Sequence, residues 1–160
     1  MSYGQNTAQI SLLASLLGLE SSRDLVIIAN TIAGNVTTQV YNDEQSFVYQ
    51  LQKVYFYLDT DANAADRFPR MSHLNESGYR LSYVNGTDPT QANEVSYTTF
   101  VPNGQLCENA AERMHLVPCD PITLQYGARV DFMVANGVAG DSYNIAPVFK
   151  RIRVPMVYET

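Results

Sequence analysis

The segment Asp59-Thr60-Asp61-Ala62-Asn63-Ala64-Ala65-Asp66 places oxygen-bearing side chains at alternate positions, as a calcium loop does to surround a hard cation. The EF-hand pattern then breaks, because its sixth position calls for Gly and holds Ala64, and its twelfth calls for Glu and holds Arg70. Asp59, Asp61 and Asn63 therefore stand as a candidate metal site of another kind, beside the plainer reading of a solvated acidic loop. A second set, Cys107, His115 and Cys119, lies within thirteen residues, with Glu108, Glu112 and Asp120 as further oxygen donors. Structural zinc prefers two pairs of ligands, each pair two to four residues apart. That spacing is missing, so two loop thiols are the expectation. A disulfide between them is disfavoured in a reducing cytosol.

Catalysis finds little to work with. A nucleophile needs a base in reach and a group to orient it. The two histidines, His73 and His115, sit in turn-like contexts, and no Gly-x-Ser-x-Gly elbow or phosphate loop is present. Paired carboxylates (Asp59 with Asp61, Asp43 with Glu44) fall in polar runs. No enzyme activity and no cofactor are expected. Tyr49, Tyr55, Phe56 and Tyr57 could form a sugar-stacking platform, although cross-strand packing in a core accounts for them more simply.

The elements that would hold these groups divide near residue 40. Asn6 with Gln9 resembles a capping box, and Ile10, Leu12, Leu13, Leu16 and Leu17 follow helical spacing up to Gly18. A second helix is expected from Ser21 or Ser22, with Leu25, Ile28, Ala29 and Ile32 as its stripe and Gly34 as its stop. The β-branched run Val26-Ile27-Ile28 keeps a buried strand open as the alternative. The remainder reads as strands: Phe47 to Leu58, Tyr79 to Tyr83, Val95 to Val101, Ile122 to Tyr126, Val130 to Val134, and Ile145 to Tyr158. Gly, Pro and Asn turns separate them, and a turn at Glu108 to His115 is the one candidate crossover. The fold expected is mainly β: an antiparallel β-sandwich or jelly-roll-like body (41–160) with an N-terminal helical arm (1–40).

Composition narrows the partners. The net charge of -6 argues against direct nucleic-acid binding, which needs clustered Lys and Arg. The one basic cluster, Lys150, Arg151 and Arg153, is too small to reverse that sign. No signal peptide or membrane span is read, since Glu20, Arg23 and Asp24 interrupt the apolar run of the arm. Only Lys53 and Lys150 supply lysine, against 11 Tyr and eight Arg. Interfaces are depleted in Lys and enriched in Tyr and Arg, so part of the surface is expected to be covered by neighbours. The apolar positions Ile10, Leu13, Leu17, Leu25, Ile28 and Ile32 are the expected contact residues of the arm, with packing on the chain's own body as the alternative.

Taken together, the arm (Met1 to Gly34) and the Lys-poor, Tyr/Thr/Asn-rich sandwich (Phe47 to Glu159) resemble bacteriophage virion proteins. The capsid decoration (cement) proteins and small jelly-roll coat or vertex proteins are the nearest kinds. The resemblance implies a homo-oligomer, a trimer among the options, made in the host cytoplasm and carried in the virion beside other subunits. It implies no enzymatic role. A carbohydrate-binding or host-recognition module is the alternative function.

Overall fold

The computed structural model describes residues 22–109 and 111–154. Twelve strands and no helix occur among them: β1 (Ser22–Val26), β2 (Ala29–Ala33), β3 (Thr38–Tyr41), β4 (Phe47–Asp59), β5 (Phe68–Leu74), β6 (Arg80–Asn85), β7 (Val95–Pro102), β8 (Cys107–Asn109), β9 (Met114–Cys119), β10 (Thr123–Leu124), β11 (Arg129–Ala135) and β12 (Ser142–Arg153).

β4 and β12 form the spine of the larger sheet, sheet A. They pair antiparallel from Ser142 opposite Asp59 to Arg153 opposite Phe47. The residues of β4 facing inward are Tyr49 and Leu51, then Val54, Phe56 and Leu58. The change of phase after Leu51 falls at a bulge, where Val148 pairs with Lys53 and Phe149 with Leu51, so that Gln52 is skipped. Sheet A runs β1-β12-β4-β7-β9-β8, with β2 beside β12 and β10 beside β4. Every pair in it is antiparallel except β7 with β9. Sheet B runs β3-β11-β5-β6, all antiparallel.

One apolar core lies between the sheets. Sheet A supplies Val54, Phe56, Leu58, Phe100, Ile145 and Phe149; sheet B supplies Val40, Met71, Val130, Phe132 and Val134. Tyr143 ties the layers together. Its ring stacks on Phe56 at 5.0 Å. Its hydroxyl donates to the carbonyl of Val36 at 2.8 Å, and lies 3.1 Å from that of Phe132 and 3.0 Å from Thr38 Oγ1. Burial pushes this phenol above its ordinary pKa, against the Thr38 contacts. Removing the hydroxyl takes a buried donor from the Val36 carbonyl and a side-chain partner from Thr38 Oγ1. Tyr143→Phe should therefore cost about 1–3 kcal/mol in urea unfolding.

The second predicted helix is corrected. Residues 22–33 are β1 and β2, both antiparallel to β12. Leu25 is buried while Val26 and Ile28 are about half exposed, with Ile27 and Ala29 partly buried between them. That is alternation with period two, and the pairing partner β12 decides it over the helical stripe. The first predicted helix, Asn6 to Gly18, lies outside the described residues.

Candidate functional site

The acidic loop after β4 is organised around an internal cation. Arg67 is wholly buried, and its Nη2 donates to Asp61 Oδ1 at 2.8 Å while its Nε donates to Asp141 Oδ2 at 3.1 Å. Nη1 donates to the carbonyls of Asn63 and Ala65. Asp61 also accepts from the backbone N–H and the Nδ2 of Asn63. Of the three candidate metal ligands, the structure thus brings Asp61 and Asn63 together around the Arg67 guanidinium, and leaves Asp59 exposed at the end of β4. Asp141 is buried too. Burial pushes its carboxyl up, but the N–H groups of Val138 and Asp61 and the Arg67 guanidinium outweigh that and hold it below the ordinary range. Glycines let the loops approach: a Cβ at Gly137 would collide with the carbonyl oxygen of Gly34, and one at Gly34 would stand 2.5 Å from Asp141 Cβ.

The outward face of sheet A carries a different kind of site. Alternation turns Tyr55 and Tyr57 of β4, Tyr97 and Thr99 of β7, Met114 of β9, and Asn144 and Ala146 of β12 to the side opposite the core. Together with Ile28 and Asn30 they line a groove of about 290 Å³, floored by the buried Phe56 and Ile145. Tyr55, Tyr97, Met114 and Ile28 are each nearly half exposed. The rings of Tyr57 and Tyr97 pack tilted at 5.3 Å, and burial followed by the charge of Asp59 raises the Tyr57 pKa. Lys53 Nζ lies 5.0 Å from the Tyr55 ring. The sequence-predicted aromatic platform therefore splits. Tyr49 and Phe56 are core residues, whereas Tyr55 faces outward and Tyr57 is half-buried beneath its neighbours.

Of the predicted contact residues, Ile28 lines this groove, Leu25 is in the chain's own core, and Ile32 packs against that core. Ile10, Leu13 and Leu17 lie outside the described residues. The basic cluster near the C-terminus is partly turned inward: Arg151 is buried, donates to both oxygens of Glu44, and stacks on Phe47. His73 is half-buried on β5, where burial lowers its pKa. Cys107 and Cys119 are free thiols. Cys107 faces Leu116 across the β8–β9 pair, three residues short of Cys119. That is about 10 Å along the strand, beyond the span of a disulfide. Burial, then the charge of Asp120, pushes the Cys119 thiol up to about 11.

Neither a protein-family model nor a curated protein sequence matches the chain. Several solved structures resemble it, three of them as follows. One is a chain from Bacillus endospore appendages, described as a family of disulfide-linked pili, at 10% identity over 84% of this chain and 90% of that one, with a TM-score of 0.39. The second is from the T13 viral particle of infectious bursal disease virus, at 12% identity over 84% of this chain, TM-score 0.37. The third is from the Gt strain of that virus, at 13% identity over 82% of this chain, TM-score 0.32. This chain spans about a third of the viral chains (32% and 31%). At these TM-scores the likenesses carry no argument about what the chain does.

Proposed function

We propose that the chain is a non-enzymatic structural subunit of a multi-subunit assembly, and that it works by laying the outward face of sheet A against a neighbour. The observation that carries this reading is the run of half-exposed apolar side chains, Ile28, Tyr55, Tyr97 and Met114, gathered around one groove. Single exposed apolar residues are ordinary, but a gathered set marks a surface that another molecule covers. The scarcity of lysine and the abundance of tyrosine agree with it.

The finer reading is a virion protein, a decoration (cement) or minor capsid protein of a bacteriophage, made in the host cytoplasm and assembled as a homo-oligomer. The strand order supports it. The chain visits the sheets alternately, with β1 and β2 in A, β3 in B, β4 in A, β5 and β6 in B, β7 in A, β11 in B and β12 in A. That alternation is the jelly-roll order, which recurs in capsid and lectin domains. Ile10, Leu13 and Leu17 would add to the contacts. The second reading is a carbohydrate-binding module, favoured by Asn30, Asn144 and Thr99 set among the tyrosines of the groove. Rings that stack on a sugar face need such polar neighbours for its hydroxyls.

Light scattering over a concentration series tests the first reading. The wild-type chain is expected above monomer mass. Tyr55→Arg with Tyr97→Arg should weaken association by about 2 kcal/mol or more, roughly thirtyfold, with the circular dichroism unchanged. A wild-type monomer at every concentration, or a variant of undiminished mass, would overturn it. A monomer that binds glycans and loses them in Tyr55→Ala would install the second reading instead.

A further inference from the structure

Asp88, Glu108 and His115 meet where the β6–β7 loop crosses the β8–β9 hairpin, and each offers one ligand atom within 4.8 Å of the other two. Glu108 and His115 stand directly opposite each other in the antiparallel β8–β9 pair, so their side chains rise from the same face. Asp88 comes from the loop above. His115 is the unusual member: only 8% of it is exposed, and its Nδ1 has no hydrogen-bond partner. That nitrogen points at Asp88 Oδ2 across 3.9 Å, too far for a hydrogen bond. A buried polar atom left without a partner costs free energy, and a ligand between it and the carboxylates removes that cost.

We propose that these three residues bind a divalent transition metal of the zinc class, with water completing the coordination. The imidazole nitrogen selects zinc and its neighbours over calcium or magnesium, whose sites are built from oxygen. Tetrahedral zinc holds nitrogen and oxygen ligands at about 2.0–2.2 Å, which sets them about 3.4 Å apart. Asp88 and Glu108 are exposed side chains, and rotation about their own bonds covers the difference. Glu108 is further braced by Thr87, whose hydroxyl donates to its Oε1 at 2.6 Å. The thiols take no part. Cys107 precedes Glu108 and so faces the other side of β8, and Cys119 lies four residues beyond His115, about 13 Å along β9. The ion would fasten β8, a three-residue exposed edge strand, to the loop that passes over it.

Calorimetric titration of the full chain with zinc chloride, and with calcium chloride as control, tests the site. One zinc per chain is expected, with no calcium uptake and a rise in the thermal midpoint of about 5–10 °C at a hundredfold excess over Kd. Glu108→Gln and Asp88→Asn, both at exposed positions, should each weaken zinc at least ~10-fold, the least that losing even an outer partner of a ligand costs. Cys107→Ser with Cys119→Ser should leave binding unchanged, and bound cobalt should show no thiolate charge-transfer band. Absence of zinc binding overturns the proposal. So does binding that survives both carboxamide variants, or binding that disappears with the thiols.

Discussion

Arg67→Met should destabilise the fold by about 3–5 kcal/mol at neutral pH, the range for removing one partner of a buried ion pair. The guanidinium is fully enclosed and holds two carboxylates and two carbonyls at once. Without it Asp141, itself buried, keeps only the backbone N–H groups of Val138 and Asp61. Most of the loss comes from that stranded charge, so adding Asp141→Asn should restore part of it. The wild-type pH dependence follows from the same group. A carboxyl held below its ordinary pKa contributes stability that is present above about pH 4 and is lost as pH falls through its folded value. The acid loss should shrink in part in Arg67→Met, because the guanidinium no longer adds to the Val138 and Asp61 N–H groups that hold the Asp141 pKa down. Urea midpoints between pH 3 and pH 7 read both effects. An Arg67→Met chain within 1 kcal/mol of wild type would mean that the ring of contacts contributes little.

Phe132→Ala should cost a similar amount, about 3–5 kcal/mol, for a different reason. Phe132 is fully buried at the centre of β11, paired with Thr38 on one side and Met71 on the other. Truncation there opens a cavity between the two sheets rather than stranding a charge. At a slope near 2 kcal/mol per molar, the urea midpoint should fall by about 1.5–2.5 M. Tyr97→Ala, on the outward face, should change stability by less than about 1 kcal/mol. Equal losses at the two positions would contradict the division into a core side and a docking side.

Much of this architecture was legible in the residues. Tyr and β-branched residues on both faces marked β4, and alternation marked β7 and β11, each to within a residue or two; in β11 the alternating set is the buried one, and in β7 it is the outward face. β5 escaped notice, since Phe-Pro-Arg-Met-Ser-His-Leu has neither a run of β-branched residues nor a clean period, and neighbours on both sides make it a strand. The stretch from Glu108 to His115 read as a turn and is a hairpin, too short in its first arm to show a pattern. The segment at residues 22–33 misled because Leu25, Ile28, Ala29 and Ile32 satisfy helical spacing by accident. Leu25, Ile27 and Ala29 carry the true period. For the sites, Asp61 and Asn63 were visible as a motif, but Arg67 was not visible as the cation they surround. His115 was read with Cys107 and Cys119, Glu108 being one of three further oxygen donors, whereas Asp88 is 27 residues from His115 in sequence and only the crossing of the β6–β7 loop brings it close.

The place of β12 bears on how the protein is made. It lies inside sheet A, with β4 along one edge and β1 and β2 along the other, yet it is the last of the described strands to leave the ribosome. All four strands of sheet B are translated before it. Until residues 142–153 emerge, β4 presents an open edge of unpaired N–H and C=O groups, and Phe56 lacks the Tyr143 ring that stacks on it. A nascent chain therefore cannot close its larger sheet until β12 has emerged, and chaperone occupancy should peak just before residues 142–153 leave the ribosome. A premature stop codon ahead of residue 142 would leave not a shortened protein but a sheet without its middle.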